Sequence, residues 1–251
     1  MNWQTRIESY VKRGFQKADA EILVLMEEAA AGLFSAFPDH IILFGGATLV
    51  LFYDLLAKAG ELPSATDVQK AAESSIQSLA EIFGLGKLDF RRQGDRNDFI
   101  KIWVESNKRP LFSIDLTRIS GTVLKSEIVY RRIAGDPQKT ILAPSANYLL
   151  FQKSETFLDR RYPKARDAFD IGVLQTKGAQ LDDHLKAHLE DFIQMKELDA
   201  DLIRSRIAMI DPRLCTVELR SLLPQALFLE FAKNDFKQLR KALQSVLSNW
   251  I

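Results

Sequence analysis

Beyond Gly84-Leu85-Gly86 the spacing of apolar residues switches from helical to strictly alternating. Ile100, Ile102 and Val104 alternate with Lys101 and Trp103, and Phe112, Ile114 and Leu116 alternate with Ser113, Asp115 and Thr117. A period of two sends successive side chains to opposite faces of a strand. The two runs therefore read as strands with one face on a core, joined through Asn107-Lys108-Arg109-Pro110 as an antiparallel hairpin. The chain is of mixed α and β type.

Before the hairpin, Ile22, Leu23, Leu25, Met26, Ala29, Ala30 and Leu33 recur at helical spacing and predict a helix from about Ala18 to Phe37, broken by Pro38-Asp39. Ile41 to Phe44 is an unbroken apolar run and suits a strand covered on both faces. Thr48 to Lys58 reads as a helix ended by Gly60 and Pro63, and a short segment from Ala65 to Gln69 reads as strand-like ahead of a helix from about Lys70 to Phe83. Beyond Gly135-Asp136-Pro137 the pattern is helical to the end. Leu181, Leu185, Leu189 and Ile193 form one stripe there, and Leu222, Leu223, Leu227, Leu229 and Phe231 lie in a second apolar stretch. A boundary between Ala134 and Pro144 divides the chain into an α/β domain, 1–138, and a helical domain, 139–251. The C-terminal stretch from Leu222 to Leu247 serves either as core or as a docking surface.

The chain is an ordinary globular protein of 251 residues, with 34 Lys and Arg against 33 Asp and Glu. No overall field draws it to nucleic acid or a membrane, so such binding needs a local patch. Cys215 is the single cysteine and the three histidines are scattered, which excludes an internal disulfide and a Cys/His zinc arrangement. A reducing cytoplasm is expected. The apolar stretch Ile22 to Met26 is too short for a signal peptide, and no run approaches the about twenty apolar residues of a membrane span.

Gly45-Gly46-Ala47-Thr48 follows the first strand directly. A strand that ends in two glycines and opens into a helix lets backbone N–H groups approach a phosphate; it is equally a tight turn. Alternation sets Asp115 on the face opposite Ile114 and Leu116, and the strand-like reading of Asp67-Val68-Gln69 sets Asp67 and Gln69 together on one face. Two strand carboxylates over a shared groove, with substrate phosphates and water, are what Mg²⁺ requires; the alternative is solvated or ion-paired residues. Further on, Pro163 breaks the chain and Arg166 opens a helix carrying Asp167 and Asp170 on one face. Lys153 and Arg166 suit triphosphate oxygens, or else Arg166 pairs with Asp170 at i,i+4. The run Arg160, Arg161, Lys164, Arg166 is either a solvated face or a contact for RNA phosphates. His184 and His188 lack a third metal ligand and read as an exposed pair, and Cys215 reads as structural.

Taken in order, Phe44-Gly45-Gly46-Ala47-Thr48-Leu49, Asp67-Val68, Ile114-Asp115-Leu116, Lys153 and Arg166-Asp167-Ala168-Phe169-Asp170 resemble the nucleotidyltransferase toxins of the AbiEii/AbiGii type. The resemblance spans roughly Ile41 to Leu174. It implies a polymerase-beta-like fold, a small mixed sheet with flanking helices followed by a helical domain. It also implies transfer of a nucleoside monophosphate from an NTP to an RNA or protein hydroxyl, with an antitoxin as a possible partner. Carried over, Gly45, Gly46 and Thr48 would hold the nucleotide, Asp67, Asp115 and Gln69 would hold Mg²⁺, Lys153 and Arg166 would contact phosphates, and Asp167 would be a catalytic or positioning carboxylate. The family's second acid stands here as Gln69, and Pro63 stands where its Arg would be. An amide oxygen is a poorer Mg²⁺ ligand than a carboxylate, so a catalytically degenerate nucleotide- or protein-binding module is the alternative.

Overall fold

The computed structural model describes residues 2–38, 41–44, 54–57, 63–96, 99–118, 127–133 and 136–251, which divide into two units, Met1–Pro144 and Ser145–Ile251. In the first, α1 (Trp3–Lys12) and α2 (Lys17–Ala36) precede β1 (Ile41–Phe44) and β2 (Asp54–Ala57). Then come α3 (Ala65–Ile82), β3 (Leu88–Arg96), β4 (Phe99–Ser106), β5 (Arg109–Arg118), β6 (Ile128–Ile133) and β7 (Asp136–Pro144).

The predicted hairpin is β4 and β5. Asn107 and Lys108 both adopt left-handed angles, φ 50° and 63°, as a two-residue hairpin turn matched to strand twist requires. That turn sets Ser106 against Arg109 and Glu105 against Pro110; a register shift between Val104 and Glu105 then sets Ile102 against Ile114 and Lys101 against Asp115. Ile100, Ile102, Val104, Phe112, Ile114 and Leu116 are all buried, as the alternation predicts. The mixed sheet runs β1-β2-β5-β4-β3, with β2 parallel to β5 and the other neighbours antiparallel. β6 and β7 form a separate antiparallel pair.

Helices α2 and α3 pack together and against the sheet. Gly32 makes their approach close: a Cβ there would lie 1.7 Å from Ser75 Oγ and 2.6 Å from Ser75 Cβ. Ser75 in turn donates to the Ala71 carbonyl at 2.7 Å, which fixes it in the groove. Helix α1 is held to α2 by charge. Arg6 reaches both Glu27 and Glu28, and Tyr10 donates to Glu27 at 2.6 Å; Arg6, Tyr10 and Glu27 are all buried.

The structure corrects three expectations. Residues 65–69 are the first turn of α3, not a strand. Ser64 Oγ accepts from the Asp67 amide at 3.1 Å and donates to the Asp67 carboxylate at 2.7 Å, a capping arrangement that starts the helix. The buried stripe Ala65, Val68, Ala72, Ile76 and Ala80 then continues at helical spacing. Residues 54–57 are a strand within the stretch expected to be helical; a short apolar run serves either state, and β1 and β5 on its two sides decide the outcome. Residues 136–144 are also a strand, because β6 supplies the partner that local propensity does not reveal.

In the second unit α4 (Ala146–Asp159), α5 (Ala165–Thr176), α6 (Asp183–Met195), α7 (Ala200–Ala208), α8 (Pro212–Leu219), α9 (Gln225–Ala232) and α10 (Lys237–Val246) follow one another. Side-chain caps start several: Ser145 for α4, Asp182 for α6, Asp199 for α7 and Asp211 for α8, each accepting a backbone amide near 3 Å. The stripe Leu181, Leu185, Leu189 and Ile193 is buried as predicted. Helix α9 departs from its apolar sequence and buries no residue fully, although Phe231 meets the Phe169 ring edge-on at 5.6 Å.

Two stability outcomes follow. Gly32→Ala should destabilise the first unit by about 1–3 kcal/mol, the usual cost of overpacking, read as a lower thermal midpoint; an unchanged midpoint would show that the two helices separate without cost. In α4, burial and the neighbouring Asp159 push the Glu155 carboxyl up to about 7. Between the unfolded value near 4.5 and about 7 the folded chain holds a proton that the unfolded chain has released. Stability from this group is therefore complete below the window and lost as pH rises through it. Glu155→Gln should flatten that decline between pH 5 and 8, measured by urea unfolding; an identical decline in the variant would assign it to other groups.

Candidate functional site

Alternation along β5 decides where Asp115 lies. Its neighbours Ile114 and Leu116 enter the core, while Asp115 occupies the opposite face with its side chain 17% exposed. Lys101 stands directly across and donates from Nζ to Asp115 Oδ2 at 2.8 Å. The other carboxylate oxygen, Oδ1, is buried and has no hydrogen-bond partner. An anionic oxygen left this way carries an unpaid desolvation cost, and a hard cation that takes oxygen ligands would relieve it. The group present therefore fits a divalent metal.

On the other flank of β5, the parallel register sets Asp54 level with Asp115. Two acidic positions from neighbouring strands thus meet at one level of the sheet, Asp54 and Asp115. Reading residues 48–58 as a helix hides the first of them. The available signal is that Asp54 is the one acidic residue between Gly46 and Glu61, in an otherwise apolar segment.

Asp67 and Gln69 lie on the other side of the sheet. Arg92 of β3 is in register with Ile102, which faces the core, and its guanidinium donates to Thr66 Oγ1 at 3.0 Å and Gln69 Oε1 at 3.2 Å. The start of α3 therefore sits over the core-facing side, whereas Asp115 is on the face turned away. Asp67 is exposed and its carboxylate is engaged by Ser64. The grouping of Asp67, Gln69 and Asp115 as ligands of one metal fails for the same reason that the strand assignment fails: the segment is a capped helix start. Gly45, Gly46 and Thr48 lie outside the described residues.

In the second unit the Lys/Arg/Asp segment does assemble. Pro163 ends the connection from α4, α5 begins at Ala165, and Asp167 and Asp170 are buried side by side on it. Lys153 from α4 places Nζ 2.6 Å from Asp170 Oδ2 and 3.7 Å from Asp167 Oδ1. Arg160 closes the group, with Nε 2.7 Å from Asp167 Oδ2. Burial raises the Asp170 carboxyl above the ordinary range, and Lys153 acts against that rise. Of the two readings of Arg166, the pairing with Asp170 gives way to another partner: Lys153 holds Asp170, and Arg166 is exposed on the first turn. Arg160, read in sequence as part of a basic run, is the partner of Asp167. No local periodicity signals it, because the two residues lie on opposite sides of the Pro163 break.

His184 and His188 are exposed, with ring centres 4.5 Å apart, and among the described residues no three His, Cys, Asp or Glu side chains group as a metal site. Cys215 is buried and burial pushes its thiol up to about 11, which removes it as a nucleophile at neutral pH. No helix among the described residues is long and apolar enough to cross a membrane.

None of the curated proteins matches the chain. Among solved structures, MenT4, a nucleotidyltransferase toxin from Mycobacterium tuberculosis H37Rv, aligns over 98% of this chain and 99% of its own, with 13% identity and a TM-score of 0.45. The family described as nucleotidyl transferase AbiEii toxin, type IV TA system, matches residues 31–250, from within α2 through the helices of the second unit. With that match covering most of its length, the chain belongs to the AbiEii nucleotidyltransferase toxin family.

Proposed function

We propose that this chain transfers a nucleoside monophosphate from an NTP to a hydroxyl of RNA or protein, with Mg²⁺, as a cytoplasmic toxin held in check by an antitoxin. Family membership supports the reaction class. One observation carries the assignment to residues: the buried, unpartnered Oδ1 of Asp115, on a strand whose parallel neighbour brings Asp54 to the same level.

In this reading Asp115 holds the metal, with Asp54 as its companion position. The bound ion would supply charge neutralisation at the transferred phosphoryl group. By the family resemblance, Gly45, Gly46 and Thr48 in the first unit are nucleotide-binding residues, and so, in the second unit, are Lys153 and Arg166. Asp167, fixed by Arg160 and Lys153, is the positioning carboxylate or proton acceptor. These roles extend the family resemblance to the residues of this chain.

A second reading, a degenerate module that binds a nucleotide or a protein without transfer, is favoured by one feature. Lys153 already contacts both Asp167 and Asp170, so a phosphate must compete with two carboxylates for it. Incubation of the full chain with radiolabelled ATP, GTP, CTP or UTP, total RNA and cell lysate separates the readings. Transfer is expected to label RNA or protein in the presence of Mg²⁺ and to fall at least 100-fold in Asp115→Ala and Asp54→Ala, a loss on the order of 3 kcal/mol in barrier. Equal labelling by wild type and Asp115→Ala would sink the assignment. In the same framework Lys153→Ala should weaken NTP binding about tenfold in isothermal titration, the worth of one charged contact; unchanged binding would remove Lys153 from the nucleotide site.

A further inference from the structure

We infer that Lys101 is a positioning residue for the cation site at Asp115, a role that rests on the nucleotidyl-transfer reading above. The β4–β5 pairing beyond the register shift at Val104/Glu105 brings the two residues face to face. A carboxylate has two oxygens, and here they are used differently: Lys101 takes Oδ2 at 2.8 Å, and Oδ1 is left buried without a donor. The ammonium therefore fixes the carboxylate plane and the direction in which the unused oxygen points.

Lys101 is itself held. Its Nζ lies 4.7 Å from the centre of the Trp103 ring, within the range of a cation–π contact. Trp103 donates from Nε1 to Gln93 Oε1 at 2.7 Å, which fixes the ring in turn. A chain of support thus runs from Gln93 on β3 through Trp103 and Lys101 on β4 to Asp115 on β5, across three neighbouring strands of the sheet. The Lys101 side chain is 23% exposed, so its bond to Asp115 is partly shielded from water.

Two effects of the ammonium oppose each other at a dication site. Its charge repels the ion, while its hydrogen bond holds the ligand in place and satisfies the oxygen that the ion does not use. Outer partners of ligating carboxylates are commonly worth 10- to 100-fold in metal affinity, and the carboxylate here has no other donor to replace Lys101 among its contacts. Orientation wins. Lys101 does not touch the reacting atoms in this scheme; it acts through Asp115.

The test uses the full chain and Mn²⁺ as the probe, with free ion followed by electron paramagnetic resonance. Lys101→Met keeps the stem and removes the donor; Lys101→Arg keeps charge and donor. Lys101→Met is expected to weaken Mn²⁺ binding about 10- to 100-fold, with Lys101→Arg recovering most of the loss and thermal midpoints unchanged. Trp103→Leu, which leaves Lys101 in place without its platform, should give a smaller loss and serves if Lys101→Met fails to fold. Wild-type or tighter binding by Lys101→Met, while Asp115→Asn abolishes it, overturns the positioning role and leaves the metal at Asp115. Equal binding by Asp115→Asn and wild type overturns the nucleotidyl-transfer reading at this site, and the role of Lys101 with it.

Discussion

The register of one hairpin governs the first unit. A side-chain period of two means that a slip of a single residue between β4 and β5 would move every side chain to the opposite face. The left-handed pair Asn107 and Lys108 closes the turn in two residues, and a one-residue register shift at Val104/Glu105 then aligns the apolar rows of both strands on one face. From turn and register shift together follow the buried rows that α2 and α3 cover, the outward position of Asp115, and its encounter with Lys101. The parallel pairing with β2 adds Asp54 at the same level. The acidic site is thus a product of strand alignment more than of any contiguous motif.

Legibility in the sequence followed the length of each pattern. The hairpin carries its alternation through two full strands, and the Leu181 stripe repeats over several turns, so both were readable without tertiary information. Asp67-Val68-Gln69 is a three-residue pattern, compatible with either period, and a serine cap at Ser64 tipped it to helix. Residues 54–57 and 136–144 became strands because partners far away in sequence lay beside them. The site shared this division. The outward face of Asp115 was legible from alternation; the strand position of Asp54 was hidden by an ambiguous apolar run, and the pairing of Arg160 with Asp167 by a chain break between them.

The two units solve the burial of charge differently. In the second, Lys153 and Arg160 balance Asp167 and Asp170, two cations for two carboxylates, which is the condition under which buried ions are tolerated. In the first, Asp115 has one ammonium for two oxygens and leaves one of them unserved. A closed network favours rigidity, whereas a buried oxygen without a partner carries an uncompensated desolvation cost.

Glu27 shows how far the folding unit extends beyond the family match. That match begins at residue 31, part-way along α2. Yet the Glu27 carboxylate, 1% exposed, takes its hydrogen bonds from Arg6 and Tyr10, both on α1. A version trimmed to the matched region would discard the guanidinium and the phenol together, and if α2 were kept whole it would carry an interior anion with neither. The leading helix is thus a counter-charge supplied in cis, and the smallest autonomous version of this protein has to include it.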